Sequence, residues 1–170
     1  MAEPTEDREI LTWPLFGQGI KELATAIADD GFAPDIILGI ARGGLIPAGS
    51  LGYALSIKNC YVMNVEYYTD VDERLDVPTF LPPYLELVDL DDAEILVVDD
   101  VADTGHTLRM VHDFVADKVR TARTAVLYEK PRSVITCDYV WRRTSRWINF
   151  PWSSEEPVAL PKMGRAVRDA

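Results

Sequence analysis

The chain has 170 residues, of which 48% are hydrophobic, and this size and composition suit one compact domain over residues 1–170. Its formal net charge of −11, with no run of basic residues, argues against binding to duplex nucleic acid or to an anionic membrane surface. The polar start does not have the pattern of a signal peptide, and no apolar run approaches the roughly 18 residues of a membrane-spanning helix.

The two cysteines, Cys60 and Cys137, are too few for a disulfide framework and do not have the spacing of a metal motif. We expect both to be buried in the core of a protein of the reducing cytosol.

The first strong pattern along the chain is helical. In residues 14–31, apolar side chains recur on one helical face, and Gly31 is a typical stop signal. Residues 35–41 then form a short apolar run of the buried-strand type, and the Gly43-Gly44 turn after it is expected to enter a second helix.

Five further elements follow. Residues 58–68 and 94–100 are typical of strands, and a helix is expected to open at Thr104 with Leu108, Val111 and Val115 on one face. Residues 123–130 and 138–143 complete the strands. Strands that alternate with helices predict an α/β fold, with a parallel sheet and helices on both faces.

Ligands of such sheets bind at the carboxyl ends of the strands. The predicted site therefore combines residues 41–44, 99–107 and 130–131. Residues 69–93 interrupt the alternation with three prolines and many acids, and we interpret them as a mobile lid loop, with a plain surface insertion as the alternative.

The stretch "VVDDVADTGHTL" (97–108) carries the most specific chemistry. A helix N-terminus offers free N–H groups, Gly105 allows close approach, and Thr104 and Thr107 add hydroxyl groups, so the turn can bind a phosphate. The adjacent carboxylates of Asp99 and Asp100 can accept hydrogen bonds from vicinal sugar hydroxyls and can bind Mg²⁺. An ordinary helix cap beside surface acids is the simpler alternative.

The same stretch resembles the binding signature for 5-phosphoribosyl 1-pyrophosphate (PRPP) of the type I phosphoribosyltransferases. "ARGGLIPAG" resembles the pyrophosphate loop of that family, and "EKP" with "RWINFPW" resembles the base-recognition elements of its bacterial xanthine-guanine branch. The resemblance implies the type I phosphoribosyltransferase fold with a small hood at about 131–160. It also implies purine salvage, in which ribose 5-phosphate passes from PRPP to guanine, xanthine or hypoxanthine and pyrophosphate is released.

The resemblance also implies roles for individual residues. Asp99 and Asp100 would hold the ribose hydroxyls and contact Mg²⁺, and Asp103 would act as general acid/base near N7 of the purine, its pKa raised by the neighbouring acids. The remaining PRPP and base contacts would come from Thr104, Gly105, His106 and Thr107 at the 5-phosphate, Arg42 and Gly43 at the pyrophosphate, and Lys130, Trp147 and Ile148 at the base.

Several expectations have competing interpretations. Asp103 can instead cap a helix that starts at Thr104, Lys130 can be a solvated lysine at a strand end, and Trp147 can be a core residue. Relatives often have a cis peptide bond at the position of Ala41–Arg42, and we expect one here. Tyr68 and Arg74 match lid residues of relatives. Homodimers and homotetramers are common among those relatives, and we expect this chain to form one or the other.

Other functions remain open at this point. A phosphoribosyltransferase with a different acceptor base would share most of these residues. A non-catalytic regulator that senses PRPP or a nucleoside 5′-monophosphate would keep the fold, but it would not need Asp103. A generic flavodoxin-like binding domain would not explain Arg42, Lys130 and Trp147 together.

Overall fold

The computed structural model describes the backbone of residues 7–70, 73–81 and 90–159, and the side chains of residues 7–65 and 90–159. In chain order the elements are β1 (Glu9–Ile10), α1 (Trp13–Asp29), β2 (Ile36–Ala41), α2 (Leu45–Ala54), β3 (Cys60–Asp70), β4 (Glu73–Leu81), β5 (Glu94–Ala102), α3 (His106–Ala116), β6 (Thr121–Glu129), β7 (Tyr139–Arg143) and β8 (Ile148–Asn149). Each helix and strand predicted from the sequence is present, with ends shifted by a few residues.

The helix α1 shows how local sequence sets an element. Its N-cap residue Thr12 accepts a hydrogen bond from the Leu15 N–H at 3.3 Å, and Pro14 occupies the first turn, where its missing N–H costs nothing. The predicted apolar face is buried and packs toward the sheet, and it consists of Ile20, Leu23, Ala24 and Ile27. Phe16 is buried with it.

The main sheet has six strands in the order β4-β3-β2-β5-β6-β7. Only the edge pair β3–β4 is antiparallel, and the other neighbours are parallel, as the alternation of strands and helices predicts. The central β5 therefore lies between β2 and β6, and the loops after these three strands meet at one edge of the sheet.

Two hydrophobic layers cover the sheet. Successive residues of β5 point to opposite faces, so that Leu96 and Val98 join the layer under α1 and α2, whereas Ile95 and Val97 join the layer under α3. The expectation of helices on both faces is confirmed. None of the helices in the described part of the chain is long and apolar enough to cross a membrane.

The segment 69–93 is not an irregular loop throughout, and this part of the prediction was wrong. Strand β3 runs to Asp70, and β4 pairs back on it with Val77 opposite Tyr68. Pro78 lies within β4, which is an edge strand, and an edge position tolerates the missing N–H of proline. Residues 82–89 of the predicted lid lie outside the described residues, so its mobility stays a prediction.

A second, two-stranded sheet was not predicted. It consists of β1 and β8, which run parallel with Glu9 opposite Ile148. Each strand has only two residues, too few for a periodic pattern, and their pairing depends on how distant segments meet.

The prediction for the cysteines was half right. Cys137 is buried, but Cys60, the first residue of β3, is exposed.

Candidate functional site

The acidic pair at the end of β5 is half-buried. The Asp100 N–H donates to Asp99 Oδ1 at 2.9 Å. Burial, reinforced by the charge of Asp100, raises the pKa of Asp99 well above its ordinary value. Burial also raises the pKa of Asp100, although donors that include the Val101 N–H and the Trp152 side chain act in the opposite direction. Two carboxylates held this close favour a hydroxyl-rich or cationic ligand.

The loop after β2 lies against this pair. A Cβ added to Gly43 would overlap the Asp100 carboxylate, so the absence of a side chain at Gly43 is what allows the contact. The expected cis peptide bond is present at Ala41–Arg42. Arg42 is exposed at the start of this turn. The structure thus brings the loop expected to bind pyrophosphate next to the carboxylates expected to bind ribose.

The turn after β5 leads into α3. Gly105 is the N-cap residue with φ +77°, and the helix starts at His106, two residues later than the expected start at Thr104. No side chain caps this helix, so the alternative interpretation of Asp103 as a cap is wrong. Thr104 and His106 are exposed and Thr107 is half-buried, which leaves a helix N-terminus open to an anion.

Asp103 has a partner that the sequence did not indicate. The Arg132 Nε donates to Asp103 Oδ1 at 3.0 Å, and Arg132 Nη2 donates to the second carboxylate oxygen. The carboxylate raises the pKa of Arg132 in turn. Arg132 lies only two residues after Lys130, in the segment expected to begin the hood. Its closeness in sequence to Lys130, a candidate base-binding residue, is the signal that could have identified Arg132 as a site residue.

Lys130 is buried although it is charged. It has 9% of its surface exposed, and its ammonium donates to the backbone carbonyl of Arg146. The alternative of a solvated lysine at a strand end is therefore wrong. A lysine buried at the end of β6 retains further N–H donors that a carbonyl oxygen of a ligand can accept.

Trp147 follows Arg146 directly and is 62% exposed, so the alternative interpretation as a core residue is wrong. An exposed indole ring is suited to stacking on a flat ligand.

Strand β8, next to Trp147, is hydrogen-bonded to β1 along one edge. The Glu9 N–H donates to the Trp147 carbonyl at 2.8 Å, and the Leu11 N–H donates to the Asn149 carbonyl at 3.0 Å. Because carbonyls alternate along a strand, the Ile148 carbonyl between them points away from β1. In the described part of the chain β8 pairs with β1 alone, so the other edge of Ile148 is available to a ligand.

Trp152 is a second residue that sequence reasoning missed. Its side chain is one of the groups that act to lower the pKa of Asp100. Its ring stacks on Phe150 with centroids 4.9 Å apart and meets Phe16 edge-on. An aromatic cluster thus connects the hood to α1 and to the acidic pair.

The two expected lid residues are placed by their backbone only. Tyr68 lies on β3, and Arg74 lies on β4. Their side chains lie outside the described residues.

The carboxylates fit Mg²⁺ in one particular way. Among the described residues no group of three or more His, Cys, Asp or Glu side chains could hold a metal ion by itself. Mg²⁺ commonly uses one or two carboxylates together with substrate phosphates and water. The Asp99–Asp100 pair, next to the turn before α3 that is expected to bind a phosphate, is such a donor set.

Known proteins resemble this chain over most of its length. The xanthine-guanine phosphoribosyltransferase of Cereibacter sphaeroides is 32% identical over 161 residues, which cover 94% of this chain and 87% of the relative. The crystal structure of a purine phosphoribosyltransferase from Pyrococcus horikoshii has a TM-score of 0.77 at 36% identity and covers 91% of this chain and 99% of that one. A hypothetical protein from Neisseria gonorrhoeae with bound ppGpp has a TM-score of 0.74 at 26% identity, with 89% and 92% covered.

The phosphoribosyl transferase domain family matches residues 7–157. This match covers both sheets and all the candidate site residues. The chain therefore belongs to the phosphoribosyltransferase family.

Proposed function

We propose that the chain is a purine-salvage enzyme that transfers ribose 5-phosphate from PRPP to a 6-oxopurine and releases pyrophosphate. One observation carries this proposal: the acidic pair, an open helix N-terminus and the buried Lys130 beside the exposed Trp147 lie at adjoining strand ends. The similarity to the xanthine-guanine phosphoribosyltransferase of Cereibacter sphaeroides supports xanthine and guanine as acceptors.

At the PRPP end, Asp99 and Asp100 accept hydrogen bonds from the ribose hydroxyls. Thr104, Gly105, His106 and Thr107 bind the 5-phosphate at the N-terminus of α3, and Arg42 and Gly43 bind the pyrophosphate. The contact between Gly43 and Asp100 supports this arrangement, because the loop proposed to bind pyrophosphate lies directly against the carboxylates proposed to bind ribose.

Mg²⁺ is the proposed cofactor, held by Asp100 and Asp99 together with oxygen atoms of PRPP. Bound there, it would offset the negative charge that pyrophosphate carries as it leaves. The raised pKa values of the two carboxylates support a cationic partner at this position.

At the base end, Trp147 stacks on the purine and the Ile148 backbone contacts its 2-position edge. Lys130 donates to O6, which supports a 6-oxopurine over adenine, since adenine has an amino group at that position. The burial of Lys130 makes this donor specific, because an unpaired polar partner in a buried site is costly.

The transfer joins N9 of the base to C1 of the ribose as the bond from C1 to pyrophosphate breaks. Asp103 accepts the proton that the purine carries on N7. The transition state resembles an oxocarbenium ion, so catalysis consists mainly of positioning and charge stabilisation.

Further proposals concern the surroundings of the site. A lid that carries Tyr68 and Arg74 would close over the reactants and exclude water, since water would hydrolyse PRPP. We also propose a cytosolic homodimer or homotetramer, and sedimentation at several protein concentrations measures the state of association.

A second candidate function is regulation by a guanosine polyphosphate. The ppGpp bound to the relative from Neisseria gonorrhoeae supports it, because ppGpp presents a guanine, a ribose and phosphates. Binding without turnover would indicate a sensor, and competition with PRPP would indicate an inhibited enzyme.

The test is an assay of nucleotide formation from PRPP and Mg²⁺ with guanine, xanthine, hypoxanthine or adenine. We expect turnover of 6-oxopurines, a loss of roughly 100-fold or more in Asp103→Asn, and weaker selection against adenine in Lys130→Ala. Turnover of adenine alone would exclude the role of Lys130. Binding of PRPP without turnover of any purine would exclude the enzyme and favour the sensor.

A further inference from the structure

Arg132 contacts the proposed catalytic carboxylate with both ends of its guanidinium fork. Nε donates to Oδ1 of Asp103 at 3.0 Å and Nη2 donates to Oδ2. A carboxylate has about four acceptor positions, and a bidentate arginine uses two of them. One free position is left on each oxygen.

The backbone around Arg132 is attached to the loop that carries Asp103. The Ser133 N–H donates to the Lys130 carbonyl at 3.0 Å, and the Val134 N–H donates to the Thr104 carbonyl at 2.8 Å. Ser133 also fills the space beside Gly105, where an added Cβ would overlap its hydroxyl. Arg132 and Asp103 therefore start from backbone positions that are fixed relative to each other.

Stability alone does not account for this pair. The Arg132 side chain is 64% exposed and the Asp103 side chain is 42% exposed. Ion pairs as exposed as this one contribute little to folding, because water screens them. Arg132 nevertheless donates a hydrogen bond to each oxygen of Asp103, the carboxylate that is proposed to meet the substrate.

We propose that Arg132 is a positioning residue for Asp103. It holds the carboxylate in one orientation, so that a free position of an oxygen faces N7 of the bound purine. As N9 bonds to C1 and pyrophosphate leaves with the bonding electrons, the N7 proton passes to Asp103 and then to solvent. This inference rests on the proposed function.

The test compares Arg132→Gln and Arg132→Lys with the unmodified chain. We expect Arg132→Gln to lower kcat by roughly 10- to 100-fold and to leave the KM for PRPP within about twofold, because Arg132 is not among the proposed PRPP contacts. Arg132→Lys should recover part of kcat, since an ammonium keeps the charge but not the fork. Arg109→Gln is the matched control, because Arg109 is 59% exposed and pairs with Asp113 on α3.

A double variant separates positioning from a structural role. If Arg132 acts through Asp103, Arg132→Gln in an Asp103→Asn background should cause no further loss of kcat. An equal loss in both backgrounds would overturn the inference.

The remaining outcomes are also decisive. An unchanged kcat in Arg132→Gln would overturn the inference, and a raised kcat would replace it with an inhibitory contact that the purine must break. Absence of turnover in the unmodified chain would remove the proposed function and the inference together. Turnover of the unmodified chain with no effect of Arg132→Gln would remove the inference alone.

Discussion

At the scale of single residues, the contact between Gly43 and Asp100 shows how little space separates two parts of the site. Asp100 lies near the end of the central strand β5, and Gly43 belongs to the turn after the neighbouring strand β2. The parallel pairing of β2 and β5 therefore brings the two residues together. Only hydrogen atoms on the Gly43 Cα leave room for the carboxylate.

Gly43→Ala therefore should displace the Asp100 carboxylate. We expect kcat/KM for PRPP to fall by about 10-fold or more, because a misplacement near 1 Å at a reacting centre is costly. Gly49→Ala is the control, since nothing lies within 4 Å of a Cβ at this exposed position of α2. Steady-state kinetics that show equal effects of the two changes would contradict the role of Gly43.

At the scale of elements, Glu129 joins the ends of β6 and β7. Glu129 is buried. It accepts hydrogen bonds from the Cys137 N–H at 2.7 Å and from the Arg143 Nε at 2.8 Å. Burial alone would raise the pKa of Glu129. The Cys137 N–H and the Arg143 guanidinium outweigh burial and lower this pKa below its ordinary value of 4.5.

The lowered pKa has a defined consequence for acid stability. A carboxyl group with a lower pKa in the folded state contributes its full stabilisation above the unfolded pKa near 4.5, and this contribution is lost as the pH falls through the folded value. Glu129→Gln should lower the free energy of unfolding by about 1–3 kcal/mol at pH 7. Urea unfolding measures it, and the difference between the two proteins should shrink below pH 4.5. A difference that does not change with pH would show that the charge of Glu129 contributes nothing.

At the scale of the whole molecule, the first described residues and the hood depend on each other. The parallel pairing of β1 with β8 joins segments about 140 residues apart in the chain, and Arg8 Nη1 adds a hydrogen bond to Asn149 at 3.1 Å. Leu11, which is 2% exposed, belongs to the same core layer as Ile148 and Phe150. Packing at the start of the chain therefore supports the proposed base-binding backbone.

Leu11→Ala should lower the free energy of unfolding by about 2–5 kcal/mol, as a cavity in a close-packed core does. The neighbouring Ile10 is 64% exposed, and Ile10→Ala should cost below about 1 kcal/mol. Chemical denaturation monitored by tryptophan fluorescence compares them. Similar losses for both variants would contradict the burial of Leu11 in the shared core.

The sequence predicted the family, the order of the three helices and of the five parallel strands of the main sheet, and most residues of the candidate site. Apolar runs and helical periodicity indicate β2, β5, β6 and the face of α3, because burial sets these patterns locally. The "DDVADTG" signature indicates a PRPP site, because carboxylates, glycine and hydroxyl groups at that spacing suit few ligands. The start of α3 was predicted at Thr104, but the left-handed conformation of Gly105 places it at His106.

Only the tertiary structure decided which distant residues meet. The pairing of Arg132 with Asp103 joins residues 29 positions apart, and the β1–β8 ladder joins segments about 140 residues apart. The burial of Lys130 and the exposure of Trp147 were decided there too. A residue's type and its near neighbours specify local conformation, whereas these contacts depend on the path that the whole chain takes between them.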